Sequence, residues 1–408
     1  MSEWKKVKLG DVCEITSSKR CLASVRSKSG IPFFCSKEII CLDKGEDFEP
    51  SDFIPEELYN DIKAKYGVPT KGDLLLTTRG TNGIPYIYKS SDTFYFADGN
   101  LSWFKNFKKG FDPQFLYYWF KSPSGIHEVD TISKGTAQKA VSIDDLRRII
   151  MPYPSQHIQN RIVTILSRYD SLIENYQKQI KLLEEAVQRL YKEWFVDLHF
   201  PGHENTKIVD GVPEGWEKKK VADVCETIGG GTPSTKVTSY YEGGTISWVT
   251  PTDITKNNSL CLLRTEKKIT KEGLKHSSAK MLPPETILMT SRASVGYFGI
   301  CDFEVCTNQG FISCVPFDWD FQMYLLYNLK NRVEEIRTKA GGSTYLEISK
   351  SVFRNFDVIC PPKSLLSQFQ QRTHRILEKT RNIATQIRLL TEARDRLLPK
   401  LMSGEIAV

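Results

Sequence analysis

The sequence contains no run of about 18 consecutive apolar residues, the length a helix needs to cross a bilayer. Its opening stretch, MSEWKKVKLGDV, also lacks the apolar core of a secretory signal, so a cytoplasmic location is expected. Ten cysteines occur without a single CxxC pair; the closest two, Cys301 and Cys306, sit in apolar, aromatic-rich sequence. In a reducing compartment such residues serve as small buried hydrophobes. The six histidines do not pair with cysteines at zinc-ligand spacing. Between His199 and His203, Pro201 and Gly202 break the helical face that an i,i+4 metal pair needs. No metal site is expected.

Signatures of catalysis are missing as well. No GxxxxGK[ST] loop exists: Gly229-Gly230-Gly231-Thr232-Pro233-Ser234-Thr235 lacks the closing lysine and reads as a turn with exposed amides. No GxGxxG follows a strand. The Asn/Asp-Pro-Pro-aromatic tetrapeptide of amino-methyltransferases is absent, since Met151-Pro152-Tyr153-Pro154 and Cys360-Pro361-Pro362-Lys363 both lack the polar residue before the prolines. Asp253-Ile254-Thr255-Lys256 resembles a nuclease fragment, but 49 acids and 56 bases supply such matches by chance. These absences favour a binding protein with no cofactor of its own over an enzyme.

What is present is a repeat. Trp4-Lys5-Lys6-Val7-Lys8-Leu9-Gly10-Asp11-Val12-Cys13-Glu14 returns as Trp216-Glu217-Lys218-Lys219-Lys220-Val221-Ala222-Asp223-Val224-Cys225-Glu226. Leu74 to Arg79 returns as Ile287 to Arg292, and Gly135 to Ser142 as Gly342 to Ser349. A period near 210 residues is a duplicated module, far beyond a solenoid unit. Each copy opens with an α+β region of short strands, such as Ile31 to Phe34, Ile84 to Tyr88, Thr245 to Val249 and Tyr297 to Ile300. Short helices are expected over Pro113 to Lys121 and Phe321 to Lys330. The expected organisation is a first domain over 1–154, a heptad helix over 155–198, a linker over 199–215, a second domain over 216–362 and a second heptad helix over 363–408.

The helices are marked by steps of four and three. In the first, Ile162, Leu166, Tyr169, Ile173, Tyr176, Ile180, Leu183, Val187, Leu190 and Trp194 form a coiled-coil seam. In the second, the same ladder runs Phe369, Thr373, Ile376, Thr380, Ile383, Ile387, Leu390, Arg394, Leu397 and Leu401. So narrow a stripe needs another helix. Parallel homodimerisation is one way to provide it. Intramolecular antiparallel pairing needs no second copy and is preferred, with Thr373, Thr380 and Arg394 helping to set register.

The recurring polar chemistry suits nucleic acid. The net charge of +7 tilts mildly toward polyanions. Arg79 and Arg292 each follow an apolar strand and two hydroxyl residues, and each precedes a loop of small residues that includes Thr81 and Asn82, or Ser294. An arginine so placed presents its fork to guanine or phosphate; a salt bridge within the domain is the competing role. A second loop pair carries Lys134, Thr136, Gln138 and Lys139, and Lys339, Ser343, Thr344 and Tyr345. Lysine and hydroxyl groups contact phosphate, and Gln138 is suited to adenine, although a solvated loop has the same composition. Lys19 and Arg20 add a basic pair, while Lys218-Lys219-Lys220 and Lys105 to Lys109 fit solvated faces.

Two divergent domains, each followed by a heptad helix, resemble the specificity subunits of Type I restriction-modification systems. The marks are the paired module starts, Leu190-Tyr191-Lys192-Glu193-Trp194-Phe195-Val196-Asp197, Pro213-Glu214-Gly215-Trp216, Gly230-Gly231-Thr232-Pro233-Ser234, and the ending Leu397-Leu398-Pro399-Lys400-Leu401-Met402-Ser403-Gly404-Glu405-Ile406. The first module has Thr16-Ser17-Ser18-Lys19-Arg20 in place of the glycine-rich segment. The resemblance implies two target-recognition domains on a bipartite, asymmetric double-stranded DNA site, with the coiled coil as a ruler between half-sites ~34 Å apart. It also implies two modification subunits carrying S-adenosylmethionine, and restriction subunits using ATP and magnesium. A DNA endonuclease with an unrecognised site and a coiled-coil scaffold are the alternatives.

Overall fold

The computed structural model describes residues 4–45, 48–135, 139–342 and 345–408. Its contacts divide the chain into two compact units, one of residues 1–174 with 389–408 and the other of residues 175–388.

In the first unit, a four-stranded antiparallel sheet has the order Glu14–Thr16, Leu101–Lys105, Leu74–Thr77, Pro85–Ile87. A three-stranded sheet places Ile31–Phe34 between Phe53–Ile54, antiparallel, and Tyr95–Phe96, parallel. Lys5–Lys8 pairs with Ile150–Tyr153. The strand Leu74–Thr77 is buried on both faces, Leu74 and Leu76 in one core and Leu75 in another, which is why it is a continuous apolar run rather than an alternating one.

The second unit repeats this plan. Its four-stranded sheet runs Cys225–Gly229, Phe311–Pro316, Ile287–Thr290, Phe298–Ile300, and its three-stranded sheet runs Lys267–Ile269, Ile246–Val249, Cys306–Thr307. Glu217–Lys220 pairs with Asp357–Cys360. Again the central strand is shared, with Ile287 and Met289 in one core and Leu288 in another. The helix Pro113–Lys121 starts where Asp112 accepts a hydrogen bond from the Gln114 amide and proline fills the first helical position. Its counterpart covers Gln322–Asn331, one residue later than the periodicity predicts, because Trp319–Phe321 forms a preceding 3-10 turn.

The long helices cover Gln156–Tyr191 and Lys363–Ser403, the latter 41 residues or about 60 Å. Every seam position from Ile162 to Trp194 is buried or half-buried, whereas Leu172 and Leu182, off the seam, are 47% and 63% exposed. Within the first unit, Ile162 and Leu166 share a core with Leu398 and Leu401, and Asp170 meets Arg394. Within the second, Trp194 lies 5.9 Å from Phe369, and Glu184 and Val187 line one crevice with Ile376, Leu377 and Thr380. Both sets of contacts make the pairing antiparallel, so the helices satisfy each other within one chain.

The polar rungs divide in role. Arg394 donates across the seam to Asp170 at 2.7 Å. Thr373 and Thr380 instead donate to the Phe369 and Ile376 carbonyls of their own helix, so their hydroxyls set no register. Ile383 is buried on the same stripe; Ile387, Leu390 and Leu397 are half-buried.

Candidate nucleic-acid interface

In each unit the central strand runs past its last sheet partner and ends in an exposed arginine. Arg79 forms a β-bridge with Ala140, and Arg292 forms one with Glu347. The surrounding backbone bonds repeat one for one. The Gly80 amide donates to the Lys139 carbonyl and Ala293 to Leu346; Val141 donates to Thr78 and Ile348 to Ser291; Thr78 donates to Asn100 and Ser291 to Gly310. Each bridge partner also pairs back along its own segment, Ala140 with Lys134 in one unit and Glu347 with Gly341 in the other. The two loop pairs that the sequence shows separately therefore form one edge in each unit.

The loop after each arginine is held by a threonine. Thr77 accepts from the Ile84 amide and Thr290 from the Tyr297 amide, both at 2.9 Å. Gly83 and Gly296, at φ +85° and +88°, close these loops against Val129 and Val333, where a Cβ would sit 3.1 and 2.8 Å from valine carbons. Gly80 and Ala293 occupy equivalent left-handed positions at φ 80° and 61°, a conformation an alanine holds only because the bonded frame imposes it.

The side chains on this frame differ. Arg79 is exposed and has no ion-pair partner among the described residues. Arg292 lies 3.6 Å from the Glu347 carboxylate and 6.0 Å from the centre of the Tyr345 ring, which is itself 59% exposed. Lys139 and Thr81 are exposed beside Arg79, as is Ser294 beside Arg292. Asn82 is occupied internally, its amide donating to the Ser133 hydroxyl at 3.2 Å and tying the two loops together. Lys134 pairs with Asp145 at 2.8 Å, and its hydrogen bond holds that carboxyl below its ordinary range. Lys339 pairs with Glu335 at 3.5 Å and covers the Phe356 ring at 4.6 Å, which places it against its own domain. Lys19 lies over Tyr66 at 4.9 Å, and Arg20 reaches Asp98 at 3.9 Å, on the loop that pairs with Thr78. Thr136, Gln138, Ser343 and Thr344 lie outside the described residues.

The glycine-rich segment departs from expectation, whereas the triple lysine is the exposed face the sequence suggests. The glycine-rich segment is a packing device: a Cβ on Gly230 would lie 2.1 Å from the Asn308 carbonyl, and the Gly231 amide is spent on the Thr307 carbonyl at 2.9 Å. The triple lysine is largely neutralised, Lys218 and Lys220 by Asp357 and Lys219 by Glu217. Glu347 escaped notice because nothing in its sequence neighbourhood announces an arginine 55 positions earlier as its cross-strand neighbour. Burial raises the thiols of Cys13, Cys261, Cys301 and Cys306 to about 12, which makes them poor nucleophiles.

The profile of the Type I restriction modification DNA specificity domain matches residues 1–185 and 213–392. The Type I restriction enzyme MjaIX specificity subunit of Methanocaldococcus jannaschii is 27% identical over all of this chain and 94% of its own. The HindI specificity subunit of Haemophilus influenzae is 23% identical over the full length of both. Among solved structures, the Type I restriction-modification S subunit from M. genitalium superposes with a TM-score of 0.59 at 16% identity, covering 98% of this chain and 96% of that one, a likeness of fold. With the profile accounting for both copies of the repeat, the chain belongs to the Type I restriction modification DNA specificity family, as a non-catalytic recognition subunit.

Proposed function

We propose that this protein directs a Type I restriction-modification complex to a bipartite, asymmetric site on double-stranded DNA, each unit reading one half-site through its arginine edge. The observation that carries the reading is the repeated edge: an identical backbone frame delivers an arginine, a segment that pairs back on itself and a small-residue loop to the surface in both units. Backbone atoms fix position, and the side chains that differ between the copies set the sequence read. The alternatives lose ground on family membership, and a scaffold has no need of two such edges.

The long helices would serve as the ruler between half-sites and as the dock for two modification subunits. Exposed Leu172, Leu182 and Leu389, off the seam, give those partners apolar purchase. S-adenosylmethionine would reside on the modification subunits, and ATP and magnesium on the restriction subunits. Among the described residues no helix is long and apolar enough to cross a membrane, and action on DNA puts the complex in the cytoplasm.

The test is binding by the chain co-purified with its modification subunits. As salt strips non-specific affinity, preference for one bipartite duplex should persist. Inserting one heptad in each helix should change the preferred spacer. Loss of all preference at moderate salt would return the protein to the scaffold class, and duplex cleavage with magnesium alone would return it to the enzymes.

A further inference from the structure

The second unit holds a cationic recess between elements that carry other side chains in the first. It opens between the strand Cys225–Gly229 and the short helix Lys350–Arg354, and Lys280, Lys350 and Arg354 line it together with Gly229, Gly230 and Ser278. None of these three cations has an ion-pair partner among the described residues. Thr227 also lines the recess: it is 8% exposed and its hydroxyl has no hydrogen-bond partner. A buried hydroxyl left without a partner is destabilising, and an acceptor seated in the recess would relieve it. Glu226 is the one carboxylate on the rim, and against three cations it leaves an excess of positive charge.

The equivalent place in the first unit lacks the hydroxyl and the free cations of the short helix. Ile15, 1% exposed, stands where Thr227 does, and Ile143 stands where Lys350 does. Arg147, the counterpart of Arg354, is fully engaged, pairing with Asp144 at 2.9 Å and donating to the Ile15 carbonyl at 2.8 Å. The shared fold therefore does not require the cations or the hydroxyl.

We infer that the recess around Thr227, Lys280, Lys350 and Arg354 is a phosphate-binding site peculiar to the second unit. The donor set is right for it: a threonine hydroxyl and three cations offer hydrogen bonds and charge, which a phosphate oxygen cluster accepts. One source of such a group is a backbone phosphate of bound DNA, and that assignment rests on the function proposed above. Free inorganic phosphate is the other source.

The test uses the chain with its modification subunits and the variants Lys350→Ile and Thr227→Ile, which install the residues of the first unit. If a DNA phosphate occupies the recess, Lys350→Ile should weaken duplex binding about tenfold and lower the slope of log affinity against log salt by about 1, without altering base preference. If free phosphate occupies it, inorganic phosphate should raise the melting temperature of the parent and not of the variant, with the duplex slope unchanged. Both variants folded, with salt slope and phosphate response equal to the parent's, would overturn the site. A parent that binds no duplex would instead defeat the functional proposal, and the melting arm would still decide the recess.

Discussion

The two arginine edges share every backbone hydrogen bond that frames them and differ at the residue across the bridge, Ala140 in one unit and Glu347 in the other. An arginine facing alanine is available at no cost. One facing a carboxylate at 3.6 Å must first give up a partner, although both side chains are nearly half exposed and the pair is correspondingly weak. On the proposed function, the frame would hold the reader in place, and a single cross-strand residue would set how readily it leaves for DNA. The recess beside Thr227 follows the same pattern, with one set of elements carrying different side chains.

The largest expected effect is at the unopposed arginine. Arg79→Ala should cost about 1–3 kcal/mol of binding through the first half-site, roughly fivefold to 150-fold, as a directed base or phosphate contact is worth. Arg292→Ala should cost less, through the second half-site alone. Titrations against duplexes altered in one half-site at a time separate the two, and equal losses would remove the contrast between the edges.

The seam offers a second contrast of similar size, read in stability. Arg394→Ala strands the Asp170 carboxylate with only the Tyr118 hydroxyl, and should lower stability by about 1–3 kcal/mol. Thr380→Val removes a hydroxyl bonded to its own helix and should be close to neutral. Denaturant titrations of both variants measure this. A large loss for Thr380→Val would show that the threonine rungs also set register.

Smaller still is the exchange of the cross-strand residues. Glu347→Ala should raise affinity at low salt about threefold for duplexes carrying the second half-site, and Ala140→Glu should lower it similarly for the first. The difference should shrink at high salt. Opposite or absent effects would mean that Glu347 positions Arg292 instead of competing for it.

Periodicity made the helices and their seam legible, because a buried stripe must recur every three or four residues whatever surrounds it. The Leu74 to Arg79 and Ile287 to Arg292 landmarks were legible for a related reason: a strand buried on both faces tolerates little but apolar residues. The pairings around them were not. Glu347 sits opposite Arg292, Lys339 turns against Phe356 and Asn82 ties to Ser133 only because the fold brings distant segments together. The recess was invisible for the same cause, since Thr227, Lys280 and Lys350 are far apart in the chain and none belongs to a motif.

The smallest contrast lies in the terminal ribbons. Opposite Lys220 the second unit has Asp357, and opposite Lys8 the first has Ile150. Hydrogen bonds from Lys220 and then Lys218, the latter at 2.9 Å, bring the Asp357 carboxyl down to about 2. Because the folded value lies below the ordinary one near 3.8, the pairing contributes fully above that value and is lost as pH falls toward 2. These groups are exposed, so the loss is a slight fall in melting temperature across that window, and it should vanish in Asp357→Asn. Ile150→Asp, which gives Lys8 a carboxylate across the ribbon, should install the same titration in the first unit. If it does not, the ribbons differ in geometry as well as in charge, because Lys6 and Lys8 already stand where Lys218 and Lys220 do.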